Sequence, residues 1–279
     1  MRSKSKSKLG VKLKVKVILI LLILVLVSLA YYKNVYLVKK RQERLALTAK
    51  VEKNITIIPG WNIKQIDAYL KETGVSSDKK VSSFMVKDYS ADYTFLSSAS
   101  PKATLEGYLF PDTYRVYDTA TADEAVRKML NNFGNKVTDT MLLDIKKSGK
   151  SLDDIIIMAS IVEKEVTSNT DMKIVAGIFW NRIKSGQALE SCATLAYILG
   201  KQKVQYSYED TRTDSPYNTY LNRGLPPGPI ASPSLNAIMS AIYPTDTNYN
   251  YFLTRSDTGA TVFSSTYAEH LKNKAKYLK

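Results

Sequence analysis

Histidine and cysteine are almost missing from this chain, whose 279 residues hold one of each, His270 and Cys192. A single thiol cannot close an intrachain disulfide, a pattern that suits an exported protein and many others. A Ser-His-Asp triad or a Cys-His pair would have to be built on His270, and a zinc site would have to draw on carboxylates. His270 lies in TYAEHLKNKAKY, a polar helical pattern in which a surface or capping histidine is the plainer reading. No metal or cofactor is therefore expected. Glycine-rich phosphate loops and Schiff-base lysine patterns are missing as well, which leaves a small-molecule lyase little to stand on. Any chemistry falls to carboxylates.

A basic face is also lacking, despite a formal charge of +14. Residues 1–44 carry twelve Lys and Arg against Glu43 alone, so 11 of the 14 net positive charges sit there and three remain for the other 235 residues. The globular part is nearly neutral, without a basic stripe interleaved with aromatics, and this argues against a nucleic-acid partner.

What is present between the basic clusters is an uncharged run, VILILLILVLVSLAYY, from Val17 to Tyr32. A spanning helix wants about 20 apolar residues. Flanking lysines that snorkel and the further apolar residues Val35 to Val38 make up the length. Seven Lys and Arg precede the run, which predicts a cytoplasmic N-terminus with the rest of the chain outside a single-pass anchor. Ser28-Leu29-Ala30 weakly resembles a signal-peptide cleavage site, but apolar and aromatic residues continue past it, so an uncleaved anchor is the preferred reading.

Residues 33–52 read as a charged juxtamembrane helix or linker. A short strand, a Pro-Gly turn and a helix follow in NITIIPGWNIKQIDAYLKETG, with Ile63, Ile66, Ala68, Tyr69 and Leu70 at helical spacing and Gly74 as the stop. Residues 78–97 read as a helix around Phe84 and Met85, then a loop. LEGYLFPDTYRVY reads as extended segments broken at Pro111-Asp112. Thr121/Glu124 and Ser151/Asp154 are capping boxes that open helices. DMKIVAGIFWNRIKSG gives another helix with Ile174, Ile178 and Ile183 inward, and CATLAYILG a short one ending at Gly200. A proline-stiffened loop leads to the helix SLNAIMSAIY, and Asp257-Thr258-Gly259 turn a hairpin. The fold class expected is α+β.

The helix opened by Ser151 is apolar nearly all round and then ends in Glu163, Lys164 and Glu165. Residues three, four and seven apart share a helix face, so Glu163 continues the stripe of Ile156, Ala159 and Ser160. A carboxyl at the edge of an apolar core has its protonated form favoured, as a general acid requires, yet helices also end in plain solvated charge. Among the other carboxylates in patterned positions, Glu165, Glu106, Asp112, Glu190 and Asp214, spacing does not select a partner.

Four segments in fixed order, LEGYLFPDTYRV, ASIVEKEV, VAGIFWNRIKSGQALESCATLAYILG and SPYNTYLNRGLPPGPIASPSLNAI, resemble the endolytic murein transglycosylases, the YceG-like family. The likeness covers residues 54–279, and the anchor agrees with it. It implies a basic cytoplasmic tail (1–16), a transmembrane anchor (17–38), a juxtamembrane linker (39–53), a LysM-like module (54–98) and a catalytic domain (99–279) on the wall side. The activity implied is that of a lyase. It cuts nascent peptidoglycan glycan strands between N-acetylmuramic acid and N-acetylglucosamine, leaves 1,6-anhydromuramic ends and so terminates elongation.

The first Glu of the motif IVEKE is that family's catalytic residue, which maps onto Glu163. Tyr217, Asn218, Thr219, Tyr220, Thr194 and Glu106 stand in matching flanking motifs and are the expected substrate-binding residues, although SPYNTY reads equally as a turn with buried tyrosines. Expected partners are the glycan strands, the membrane and enzymes of wall synthesis. One departure is visible. Where the family often carries an aspartate after Gln-Ser or Gln-Thr, this chain has Glu190-Ser191-Cys192. That departure keeps a second reading open, a membrane-anchored wall-binding scaffold with little or no activity.

Overall fold

The computed structural model describes residues 3–48, 51–75, 78–203 and 205–278. Within the N-terminal helix, side chains are described for 16–44; residues 1–2 of the basic tail expected at 1–16 and residues 49–50 of the 39–53 linker lie outside the described residues. The chain divides into two compact units, Met1–Val51 and Glu52–Lys279.

The first unit is a single helix, α1 (Ser3–Thr48). Its stretch from Lys16 to Arg44 is the one helix among the described residues long and apolar enough to cross a membrane. Every large apolar side chain from Val17 to Val38 is exposed, which only a bilayer or a partner would make favourable. The juxtamembrane residues continue the same helix to Thr48.

The second unit is a mixed α+β fold. In chain order it holds β1 (Glu52–Thr56), α2 (Ile63–Glu72), β2 (Thr113–Tyr117), α3 (Ala122–Lys136), α4 (Asp139–Lys147), α5 (Leu152–Glu165), α6 (Asn169–Lys184), α7 (Cys192–Leu199), α8 (Leu235–Ile242), β3 (Tyr251–Thr254), β4 (Thr261–Ser264) and α9 (Tyr267–Tyr277). β1 pairs antiparallel with β2, Ile55 opposite Tyr114, and β3 with β4. The strand that opens the 54–98 stretch thus finds its partner beyond it, at Thr113–Tyr117.

α5 is the centre. Its capping box forms as the sequence predicts, Ser151 Oγ accepting from Asp154 N–H and Asp154 accepting from Ser151 N–H. From Ile155 to Val162 every side chain is buried. The six large apolar ones contribute about 1.5–3 kcal/mol each. α4, α6, α7 and α8 pack around this helix. A helix surrounded on all sides has no solvent face to turn toward water, so its polar residues collect where it ends.

Other expectations meet corrections. Residues 81–98 form three short 3-10 turns rather than a helix. Their aromatic residues anchor individually, Phe84 against Tyr89 and Tyr93 against Phe95, and a bridge joins Met85 to Thr104. Ala68 is exposed while Ile63, Ile66 and Leu70 are buried, so the apolar face of α2 is narrower than its pattern. On α6 the buried face is Met172, Val175, Ala176, Ile178 and Phe179, with Ile174 and Ile183 only half-buried at its flanks. α8 takes Ser234, the first residue of the SLNAIMSAIY pattern, as its cap.

Candidate active site

Glu163 is on the last turn of α5 and half-buried. Its Oε2 accepts two hydrogen bonds from one residue, the Ser234 backbone N–H at 3.0 Å and the Ser234 hydroxyl at 2.5 Å. Oε1 accepts none among the described residues. Ser234 is the N-cap of α8, so the carboxyl lies at the start of that helix, where backbone N–H groups have no intrahelical acceptor.

The loop leading to Ser234 is clipped along α5. Gly107, at φ +83°, abuts Pro229 so closely that a Cβ there would lie 2.5 Å from the proline ring and 2.9 Å from Ile156. One turn further along α5, Ser160 Oγ accepts from Ile230 N–H at 3.0 Å. Ser232 then pairs both ways with the β1–α2 turn, its N–H to Trp61 O and its C=O from Gly60 N–H, each at 2.8 Å. Glu163 follows, its Cγ 3.7 Å from where a Cβ on Gly60 would lie, and Lys164 donates to Gly60 O at 3.2 Å. Three chain segments therefore converge on this one carboxyl: the end of α5, the start of α8 and the Pro59-Gly60-Trp61 turn.

Glu165, two residues on, faces α7. Ser191 Oγ donates to its Oε1, and Ala193 N–H does so at 3.3 Å. Burial pushes its carboxyl above the ordinary range, against the pull of Ser191, Ala193 and Arg182. Both Glu165 contacts fall on the first turn of α7, whose N-cap Ser191 makes no side-chain capping bond of its own. The carboxylate serves as that cap.

The expected substrate residues fall into two groups, neither bonded to Glu163 among the described residues. Glu106 is buried, and both its oxygens accept from Ile63 N–H at the start of α2, at 3.0 and 3.1 Å. Burial lifts its carboxyl to about 8, opposed by Ile63, Gly107, Tyr197 and Lys64. The half-buried ring of Tyr217 meets that of Tyr197 at 5.1 Å. The second group is Thr194, Asn218, Thr219 and Tyr220. Thr194 and Thr219 share a hydroxyl bond at 2.9 Å, and Thr219 Oγ1 also accepts from Ser191 N–H at 3.0 Å. The Asn218 amide donates to Thr211 O and Thr213 O and accepts from Tyr220 N–H. Thr194, Asn218 and Thr219 are fully enclosed with their polar atoms occupied inside the protein, so their hydrogen bonds hold loops. Tyr220 is half-buried, its hydroxyl 3.2 Å from Cys192 Sγ.

The remaining patterned carboxylates are spent elsewhere. Asp112 binds Asn132 and its own neighbour Thr113, Glu190 pairs with Arg182 at 3.5 Å, and Asp214 is exposed. Arg182 is buried and donates to the carbonyls of Leu189 and Asn250, which makes it a loop anchor. Glu190 holds φ +52°, the one non-glycine residue in the left-handed region among the described residues. No group of three or more His, Cys, Asp or Glu side chains among the described residues is placed to hold a metal ion. A hollow of about 470 Å³ lined by Phe95, Ser98, Lys146 and Lys150 opens near Leu152, at the other end of α5 from Glu163.

The model of the YceG-like family matches residues 32–276. The chain belongs to that family. Among relatives, the YceG-like chain is similar to an endolytic murein transglycosylase of Bacillus subtilis (strain 168), 35% identical over 239 residues, which are 80% of this chain and 65% of that protein. It is also similar to an endolytic murein transglycosylase of Streptococcus pneumoniae (serotype 2, strain D39), 32% identical over 219 residues, 77% of this chain and 38% of that protein. The chain thus spans less than two thirds of the length of these relatives. Among solved structures, the 2.6 Å crystal structure of a YceG-like protein from Listeria monocytogenes superimposes with a TM-score of 0.66 at 32% identity, covering 85% of this chain and 80% of that one.

Sequence reasoning missed Ser234. Its SPS context signals a helix start and nothing more, because the contact it makes spans 71 residues.

Proposed function

We propose that the chain is a membrane-anchored lytic transglycosylase of peptidoglycan, with Glu163 as its single acid–base. Relatives named endolytic murein transglycosylase support the reaction class. The observation that carries the assignment is that Glu163, half-buried with Oε1 unspent, is held by a serine that already caps its own helix, whereas Glu165 supplies the cap that α7 lacks.

Glu163 gives a proton to the glycosidic oxygen as the bond from muramic C1 to that oxygen breaks, and the N-acetylglucosamine side leaves with a free 4-hydroxyl. The C6 hydroxyl of the same muramic residue then closes on C1, and its proton passes to the Glu163 carboxylate. No water is consumed and Glu163 ends as it began. A single carboxyl suffices because the sugar brings its own nucleophile, whereas glycosidases that use water or a covalent intermediate need two.

On this reading Tyr217 and Tyr220 offer ring faces to sugar, and Glu106, Thr194, Asn218 and Thr219 hold the loops that present them. Residues 54–98, their sheet completed by β2, act as the LysM-like module, and 99–279 as the catalytic domain. The basic residues ahead of the apolar run keep the N-terminus in the cytoplasm, and the second unit works on the wall side beside the enzymes that extend the strand.

The test is digestion of purified glycan strands by the whole chain in detergent, with the ends read by mass spectrometry. The expected products are anhydro ends, one water lighter than reducing ends. Reducing ends would make the enzyme a hydrolase. No cleavage by folded protein would leave a tethered wall-binding protein.

A further inference from the structure

We propose that Ser234 is a positioning residue that decides which oxygen of Glu163 carries the reacting proton, an inference that rests on the acid–base reading of Glu163. Its hydroxyl has one proton and is already committed as an acceptor, taking the Ala237 N–H at 3.2 Å to cap α8. The capping bond leaves the hydroxyl proton free to point away from α8, and Glu163 Oε2 is there at 2.5 Å. The Ser234 backbone N–H adds a second donor to the same oxygen. An oxygen that already accepts two donors is a poor seat for a proton, so the proton given to the sugar leaves from Oε1 and the one recovered returns to Oε1.

The clamp is built before substrate arrives. Pro229 and Pro233 restrict the backbone on either side of the segment, Ser160 holds Ile230, and Ser232 is paired in both directions with Gly60 and Trp61. Without the hydroxyl, rotation about the Cγ–Cδ bond of Glu163 exchanges its oxygens and the orientation is lost, while the sugar-binding surface stays as it was.

Ser234→Gly separates positioning from capping. Glycine is well tolerated at an N-cap, keeps the backbone N–H and removes the hydroxyl. With the whole chain in detergent and purified glycan strands as substrate, Ser234→Gly is expected to lower kcat by about 10- to 100-fold, with KM within about twofold and a melting temperature within about 2 °C of wild type. Ser234→Thr, which restores a hydroxyl, should bring kcat back to within about threefold. A role confined to helix stability would move the melting temperature and leave kcat alone. Wild-type kcat in Ser234→Gly, or equal loss in the Gly and Thr variants, overturns the inference. Full cleavage by Glu163→Gln overturns the acid–base reading itself and this inference with it, whereas loss in Glu163→Gln beside an untouched Ser234→Gly sinks this inference alone.

Discussion

Two glutamates two residues apart end the same helix, and each is received by the first turn of an eight-residue helix whose cap is a serine: Glu163 by Ser234 of α8, Glu165 by Ser191 of α7. The local chemistry is nearly the same, but the division of labour among the atoms is opposite. On the α8 side the serine caps its own helix and has a proton left over for the carboxylate. On the α7 side the serine makes no capping bond and the carboxylate supplies one. Each carboxylate accepts two bonds on one oxygen and none on the other among the described residues, so the unspent oxygen does not tell them apart; one of them completes a helix cap and the other does not. The residue type at a position does not reveal which; the state of the opposing helix cap does.

The sharpest way to break this comparison is to remove each carboxyl in turn. Glu163→Gln should cut the cleavage rate by about 10²–10⁴-fold while leaving thermal stability nearly unchanged. Glu165→Ala should do the reverse, costing about 1–3 kcal/mol because the Ser191 hydroxyl and Ala193 N–H lose their partner, with cleavage kept wherever the protein is folded. Urea unfolding and strand digestion on both variants decide it, and a silent Glu163 beside a lethal but stable Glu165 exchanges their roles.

Next in size is the clip that holds the α8 side in place. Gly107→Ala forces a methyl to 2.5 Å from Pro229 in a left-handed backbone, so unfolding free energy should drop by roughly 2–4 kcal/mol. An unchanged urea midpoint would mean that this loop is not held against α5.

A further effect, read as a pH slope, concerns Glu106, the buried carboxyl on neither side. Its native proton is held up to about 8, but an unfolded chain releases it at 4.5. The native state therefore binds the extra proton across that window, and the stability gained is complete below 4.5 and lost as pH climbs to about 8. Glu106→Gln should flatten the decline of melting temperature between those limits. The same slope in variant and wild type rules the assignment out.

How far the sequence carried is clear from particular elements. Capping boxes at Thr121/Glu124 and Ser151/Asp154, the all-round apolar character of α5, the Gly200 stop and the hairpin at Asp257-Thr258-Gly259 are local signals, and each is found where it was read. α4 has no comparable signal: Thr138 caps it without an acidic partner three residues on, and only Met141 and Ile145 are buried. The 3-10 turns of 81–98 depend on aromatic contacts that no periodicity encodes. At the site, the placement of Glu163 at the core edge follows from its stripe. What it touches does not, because Gly60 and Ser234 come from segments 103 and 71 residues distant in the chain.

The pairing of β1 with β2 has a consequence for how the protein is made. Thr56 and Thr113 face each other across 57 residues, so a ribosome adding about 5–20 residues per second leaves β1 without its partner for roughly 3–11 s. Over that interval β1 is an open edge, and the nascent chain relies on its polar alternation, Glu52, Lys53, Asn54 and Thr56 around Ile55, to avoid mispairing.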